Sequence, residues 1–307
     1  MKISTSYFYD RAVDQMGEAQ SKVSALQAKV AAGKQVLTPS DDPAQASDIQ
    51  RLKGLVQRQE SNLRTLDRVE SRLSLEESAL QSVTDALTRM RELIMQASND
   101  TQTPDTRAAI GIELKALRDE VASIANTKTV EGDFIFSGGK TSTEPFGYDS
   151  SGKVSYQGDQ SRRAVLVGDG LTIELGRSGS DVFRGVVRSD TEGMPYSVGF
   201  FAALDDMVSG VKSGDHQSMQ RAVSELDSLQ LGISLSLGEV GAQMNRVDSQ
   251  RTRVDDTKLR IQALLSGKED LDYATAISEM SKQILALEAA QGSFAKISSL
   301  SLFNYIR

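Results

Sequence analysis

Leu66, Leu73, Leu80, Leu87 and Ile94 recur every seven residues, with Val69, Val83 and Met90 three positions after their partners. This 3-4 spacing is the signature of a helix that buries one stripe against another helix. The row extends back through Leu52 and Leu55, with Gln59, Asn62 and Glu76 as polar interruptions. A second row runs through Met219, Leu226, Ile233, Val240, Val247, Val254 and Ile261. Its 42 residue steps make about 63 Å of helix. A straight helix would carry such a row about 120° around its surface over six heptads, so each seam needs a long partner that lets it supercoil.

Breakers divide the helical sequence. Pro104 ends the first long helix and starts a shorter one, Asp105 to about Thr127, with Thr103 as N-cap. At the amino end, Pro39 and Pro43 isolate a segment whose seam reads Tyr9, Met16, Val23 and Val30, with Ala12, Ala19 and Leu26 between them. At the other end, Ser266, Gly267 and the acidic Glu269, Asp270 and Asp272 precede a last helix carrying Ile277, Met280, Ile284, Leu287, Phe294 and Ile297. Both terminal segments, weakened by Gly17 or Gly292, are marginal helices on their own. They either order on meeting partners or pair with one another within one subunit.

Residues 131–200 differ in kind. They hold 13 of the 24 glycines and half of the 16 aromatic residues. The runs DFIFSGG, KVSYQGD and AVLVGDGLTIEL read as short strands, the last a hairpin around Gly168, Asp169 and Gly170. The expected architecture is mainly α: a coiled-coil-like helical rod with one small β-rich insertion and flanking terminal helices. Its segments are 1–47 (terminal helix and linker), 48–130 (first half of the rod), 131–200 (insertion), 201–265 (second half) and 266–307 (carboxy-terminal helix).

The chemistry offered is sparse. The chain has no cysteine and one histidine, which removes thiolate sites, disulfides and most zinc chemistry. A net charge of −7, with no dense Lys/Arg cluster, argues against nucleic acid or an anionic membrane as the main partner. The longest uncharged run, Gly193 to Leu204, is twelve residues, short of a membrane span. The amino terminus lacks an apolar core and cleavage site, so no removable signal is expected. FSGGKT, Phe136 to Thr141, ends like a phosphate loop, but Phe134 stands where that pattern needs glycine. His216 has Asp215 and Ser218 beside it, at a helix start where Ser213 and Asp215 are natural caps. The adjacent carboxylates Asp41 and Asp42 in TPSDDPAQASD lack the companions of a metal site. Ser40 or Asp41 reads as a cap, and Pro43 as the first turn of the second helix after an extended link. No catalytic residue, metal site or cofactor is expected.

SDDP at Ser40 to Pro43, the run from Asn62 to Asp100, DFIFSGGKTSTEPF, VSYQGD and the ending SSLSLFNYIR resemble the flagellin superfamily and, within it, its hook–filament junction family. The resemblance covers nearly the whole chain. It implies a structural adaptor of the bacterial flagellum, exported unfolded through the type III channel after a cytoplasmic stage. It also implies terminal helices that join an inner coiled-coil tube, with Tyr9, Met16, Val23, Leu26 and Val30 pairing with Ile277, Ile284, Leu287, Phe294 and Ile297. The implied partners are copies of itself in a ring, the first hook-associated protein, flagellin, and a cytoplasmic export chaperone on the carboxy-terminal helix. A minor filament flagellin is the alternative reading. An enzyme or regulator on a coiled-coil scaffold would need a preformed polar site that these residues do not assemble.

Overall fold

In a computed structural model, residues 2–149, 152–168, 171–190 and 193–303 are described. The order is α1 (Lys2–Ala32), α2 (Pro43–Ala97), α3 (Pro104–Ala125), β1 (Phe146–Tyr148), β2 (Val154–Tyr156), β3 (Arg163–Leu166), β4 (Thr172–Leu175), α4 (Gly179–Val182), β5 (Val186–Ser189), β6 (Pro195–Val198), α5 (Phe200–Ser213), α6 (His216–Glu269) and α7 (Tyr273–Phe303). The chain is mainly α with a small β insertion, as its periodicity requires. It divides into a unit of residues 61–255 and a unit formed by 1–60 with 256–307, the boundary falling within α2 and α6.

In the 61–255 unit both heptad rows are buried. Leu66, Val69, Leu80, Val83, Met90 and Ile94 of α2 are at most marginally exposed, as are Met219, Leu226, Ile233, Val240 and Val247 of α6. The two helices run antiparallel: Arg91 pairs with Asp227 near one end, and Arg251 with Glu70 at 2.7 Å near the other. α3 starts as the sequence indicates, with Pro104 in its first turn and the Thr103 hydroxyl accepting from the Thr106 amide at 3.3 Å. It folds back along α2, where Arg89 meets Glu113 at 2.7 Å. Buried Arg118 ties α3 to α5 through Asp205 at 2.8 Å.

The β-rich insertion consists of three separate antiparallel hairpins: β1–β2, β3–β4 and β5–β6. The β3–β4 hairpin is the one expected from AVLVGDGLTIEL, with Val165 opposite Ile173, while Asp169 and Gly170 of its turn lie outside the described residues. DFIFSGG is not a strand. A half-covered strand alternates between buried and exposed side chains, but Phe134, Ile135, Phe136 and Ser137 are all buried. This stretch forms only isolated bridges, Phe134 with Lys128 and Ser137 with Ser178. Phe136, Phe146, Phe183, Phe200 and Phe201 meet in mostly edge-on and tilted pairs at ring separations of 5.1–6.0 Å, forming an aromatic plug.

The polar residues in the heptad rows mark where the insertion seats on the helices. Glu76 is 1% exposed and faces Arg177, 3.6 Å away on the stretch after β4. Gln250 donates to the Val167 carbonyl at 3.2 Å, and Arg72 to the Ile135 carbonyl at 3.2 Å. Gly168, at φ 63°, lies so close to Asn62 that a β-carbon there would stand 2.9 Å from the amide nitrogen. Any other residue at that turn would be strained by the positive φ and would displace the Asn62 amide.

Candidate assembly interface

In the other unit α1 packs along α7. The α1 face that does so is the row read from the sequence: Val23 is buried, and Tyr9, Met16, Leu26 and Val30 are half-buried. On α7, Leu287 is buried, and Ile284 and Phe294 are half-buried. Tyr9 meets Phe294 edge-on at 5.5 Å. Ile277 and Ile297 do not join this seam, being 46% and 41% exposed. Ala276 is buried instead, because the inward row runs Ala276, Met280, Ile284 and Leu287, and Ile277 sits 100° further around the helix. The pair also leaves Tyr7, Val13 and Leu285 more than half exposed. All three lie off the heptad rows of α1 and α7, with Tyr7 among the aromatic residues of the amino-terminal segment.

The turns following α1 and α6 are clasped together. Lys34 and Asp270 form an antiparallel bridge, the Gln35 amide donates to the Glu269 carbonyl at 2.9 Å, and the Leu271 amide to the Gly33 carbonyl at 3.0 Å. Glu269 receives Lys34 at 2.8 Å and Lys53 at 2.9 Å. Hydrogen bonds from these two ammonium groups hold its carboxyl below the usual carboxylate range. α6 continues through Ser266 and Gly267 to Glu269, so the break falls at Asp270–Asp272, where Asp272 accepts from the Ala274 amide at 3.0 Å. Three adjacent aspartate and leucine positions with a local cap stop the helix, whereas one mid-helix glycine does not.

The helix-start motif divides its labour differently from the sequence expectation. Asp42, not Ser40 or Asp41, caps α2, its carboxylate accepting from the Gln45 amide at 2.9 Å just before Pro43. Asp41 instead folds the link, accepting from the Leu37 and Thr38 amides at 3.1 Å and from the Thr38 hydroxyl at 2.8 Å. These bonds, those from Thr38 foremost, lower its pKa. The Ser40 hydroxyl lies 2.9 Å from that of Thr38. The link is therefore a turn rather than an extended strand, because side-chain acceptors compete for its amides.

The other sequence motifs are structural. In FSGGKT the Gly139 amide already donates to Asp159 at 2.7 Å, and Asp159 fills the space beside Gly138, so no amide cradle is open to a phosphate. Asp215 caps α6 through the Gln217 amide at 3.1 Å and takes the Ser218 hydroxyl, while Ser213 ends α5 ahead of Gly214 at φ 72° rather than capping α6. Among the described residues no group of three His, Asp or Glu side chains is placed to hold a metal, and no helix is long and apolar enough to cross a membrane.

Comparison with known proteins places this geometry. The family model of the bacterial flagellin N-terminal helical region matches residues 3–141, and that of the C-terminal helical region matches 220–306. The flagellar hook-associated protein 3 of Escherichia coli K12 is 30% identical over 319 residues, covering 99% of each chain. The flagellin of Listeria innocua is 24% identical over 286 residues, covering 92% of this chain and 90% of that one. In fold, the chain is similar to the crystal structure of flagellar hook-associated protein 3 from Legionella pneumophila, with a TM-score of 0.63 and 17% identity over 71% of this chain and 98% of that one.

Proposed function

Because the chain belongs to the flagellar hook-associated protein 3 family, we propose that it works by packing alone, as the adaptor subunit that joins the hook-associated structure to the flagellin filament. The observation that carries this mechanism is the α1–α7 pair, whose seam is half-buried and whose outer rows, with Tyr7, Val13, Leu285 and Ile297, remain exposed. An apolar surface left open along two helices is completed by other helices. In this reading the two terminal helices order as copies join in a ring, with the first hook-associated protein on one side and flagellin on the other. The subunit is exported unfolded through the flagellar channel, and a cytoplasmic chaperone covers α7 before export. The match to the junction family is fuller than the match to flagellin, in identity and in coverage of both chains, which favours the junction over the filament.

Gold-labelled antibody against residues 131–200, viewed on flagella of the source cell, tests the reading. One band where the curved hook meets the filament is expected. Label along the whole filament would make the chain a flagellin.

A further inference from the structure

α6 carries a second heptad row that the subunit leaves unfilled. Ser228, Leu231, Leu235, Gly238, Ala242 and Asn245 follow the alternating 3-4 spacing of a coiled-coil seam, and all are exposed, Leu231 at 61% and Leu235 at 56%. No charged residue occurs between Asp227 and Glu239. A solvated helix face is normally laced with charge, so an uncharged face with two exposed leucines has the pattern of a contact. A complementary face lies on α3 of the same unit. There Ile112 is 69% exposed, flanked at Ala109 and Ala116 by exposed small residues. α3 and α6 each run antiparallel to α2, so they point in the same direction.

We propose that α6 of one subunit docks on α3 of the next copy around the ring. This rests on the ring reading above. A ring closes through heterologous contacts, in which one patch meets a different patch of the neighbour, and rotation about the ring axis keeps parallel those helices that run along the axis. One parallel register pairs the carboxy-terminal part of the α6 row with α3, while Leu231 falls opposite Asp105 in the first turn of α3 and stays outside the contact. This register sets Leu235 against Ala109, Ile112 against Gly238, Ala116 against Ala242 and exposed Glu120 against exposed Arg246. Each large residue meets a small one, and the opposite charges meet at the same end. Neither Glu120 nor Arg246 has an ion-pair partner among the described residues, and Gly238 has open space where a side chain would stand.

The absence of native cysteine makes the test clean. Cells co-express two single variants, Ile112→Cys and Gly238→Cys, and their flagella are oxidised with copper phenanthroline. A disulfide needs α-carbons within about 7 Å, so a linked dimer that requires both variants is the expected result. Ser228→Cys, about 15 Å further along the row, should give none with Ile112→Cys. Equal linkage from Ser228→Cys, linkage to a different protein, or no dimer although filaments and the junction band are normal would each overturn the contact while leaving the ring reading standing. Loss of the junction band in unmodified cells would instead remove the ring reading itself. Charge exchange gives an independent readout. Glu120→Arg and Arg246→Glu should each shed filaments under shear, and the double exchange should restore retention; no restoration counts against the register.

Discussion

The two units contrast in how completely each buries its own apolar surface. In the 61–255 unit one continuous cluster runs from Leu66 through the aromatic plug to Val254. In the unit of the chain ends, the buried apolar side chains among the described residues are Val23, Ile49, Leu52, Ala276 and Leu287. Both are built of long heptad helices, so periodicity does not separate them. What separates them is the presence of a third layer: α3, α5 and the hairpins cover α2 and α6, whereas α1 and α7 have only each other. A two-helix layer in water is marginal, and its stability must come from packing against further elements. The central unit therefore has a core of its own, and in the proposed reading the terminal pair is completed by neighbouring subunits.

Substitutions should divide along this line. Phe136→Ala, in the fully buried plug, should cost about 3–5 kcal/mol and lower the calorimetric unfolding midpoint of the free subunit, since a cavity inside a finished core cannot collapse. Leu287→Asp or Leu26→Asp should abolish filament attachment, scored by electron microscopy, and leave that midpoint nearly unchanged. A large fall in midpoint from either would make the terminal helices part of the monomer's own core. Milder in effect, limited proteolysis of the free subunit should trim both ends and leave a fragment of roughly 48–265; protection of both ends would contradict ordering on assembly.

The helices and their breaks were legible because each depends on local chemistry: a heptad row, Pro104 behind Thr103, an acidic run before α7. The inward face of α1 could be read residue by residue. On α7, Ile277 and Ile297 stay outside the contact with α1 because they lie off the inward row of Ala276, Met280, Ile284 and Leu287. DFIFSGG misled for a different reason. Alternation of type suggested a strand, but burial of every residue from Phe134 to Ser137 is decided by what packs around the segment, which no local pattern encodes. Glu76 and Asn62 looked like defects in a seam and proved to be the seats of the hairpins. The α3–α6 faces went unread because the sequence showed only the stronger, buried row of α6.

The smallest effect expected is one of pH, and its sign should differ between the units. Glu269 has its pKa lowered by Lys34 and Lys53. Its contribution is therefore present above the ordinary value near 4.5 and is lost as pH falls through its lower folded-state value. Glu76 has its pKa raised, burial being the largest cause and Arg177 only partly opposing it. Its ionised form therefore costs stability at neutral pH, and that cost is relieved as pH falls through its raised folded-state value toward 4.5. Hydrogen exchange can read both at single amides. On acidification from neutral pH, after correction for intrinsic exchange rates, the Gln35 and Leu271 amides of the clasp should lose protection, while those of Leu80 and Val240 beside the Glu76 site should hold or gain it. Glu269→Gln should lower clasp protection a few-fold at neutral pH and flatten its pH dependence. If the clasp amides kept the same pH dependence in that variant, backbone pairing alone would be holding the link, and the turns after α1 and α6 would be as self-sufficient as the central domain.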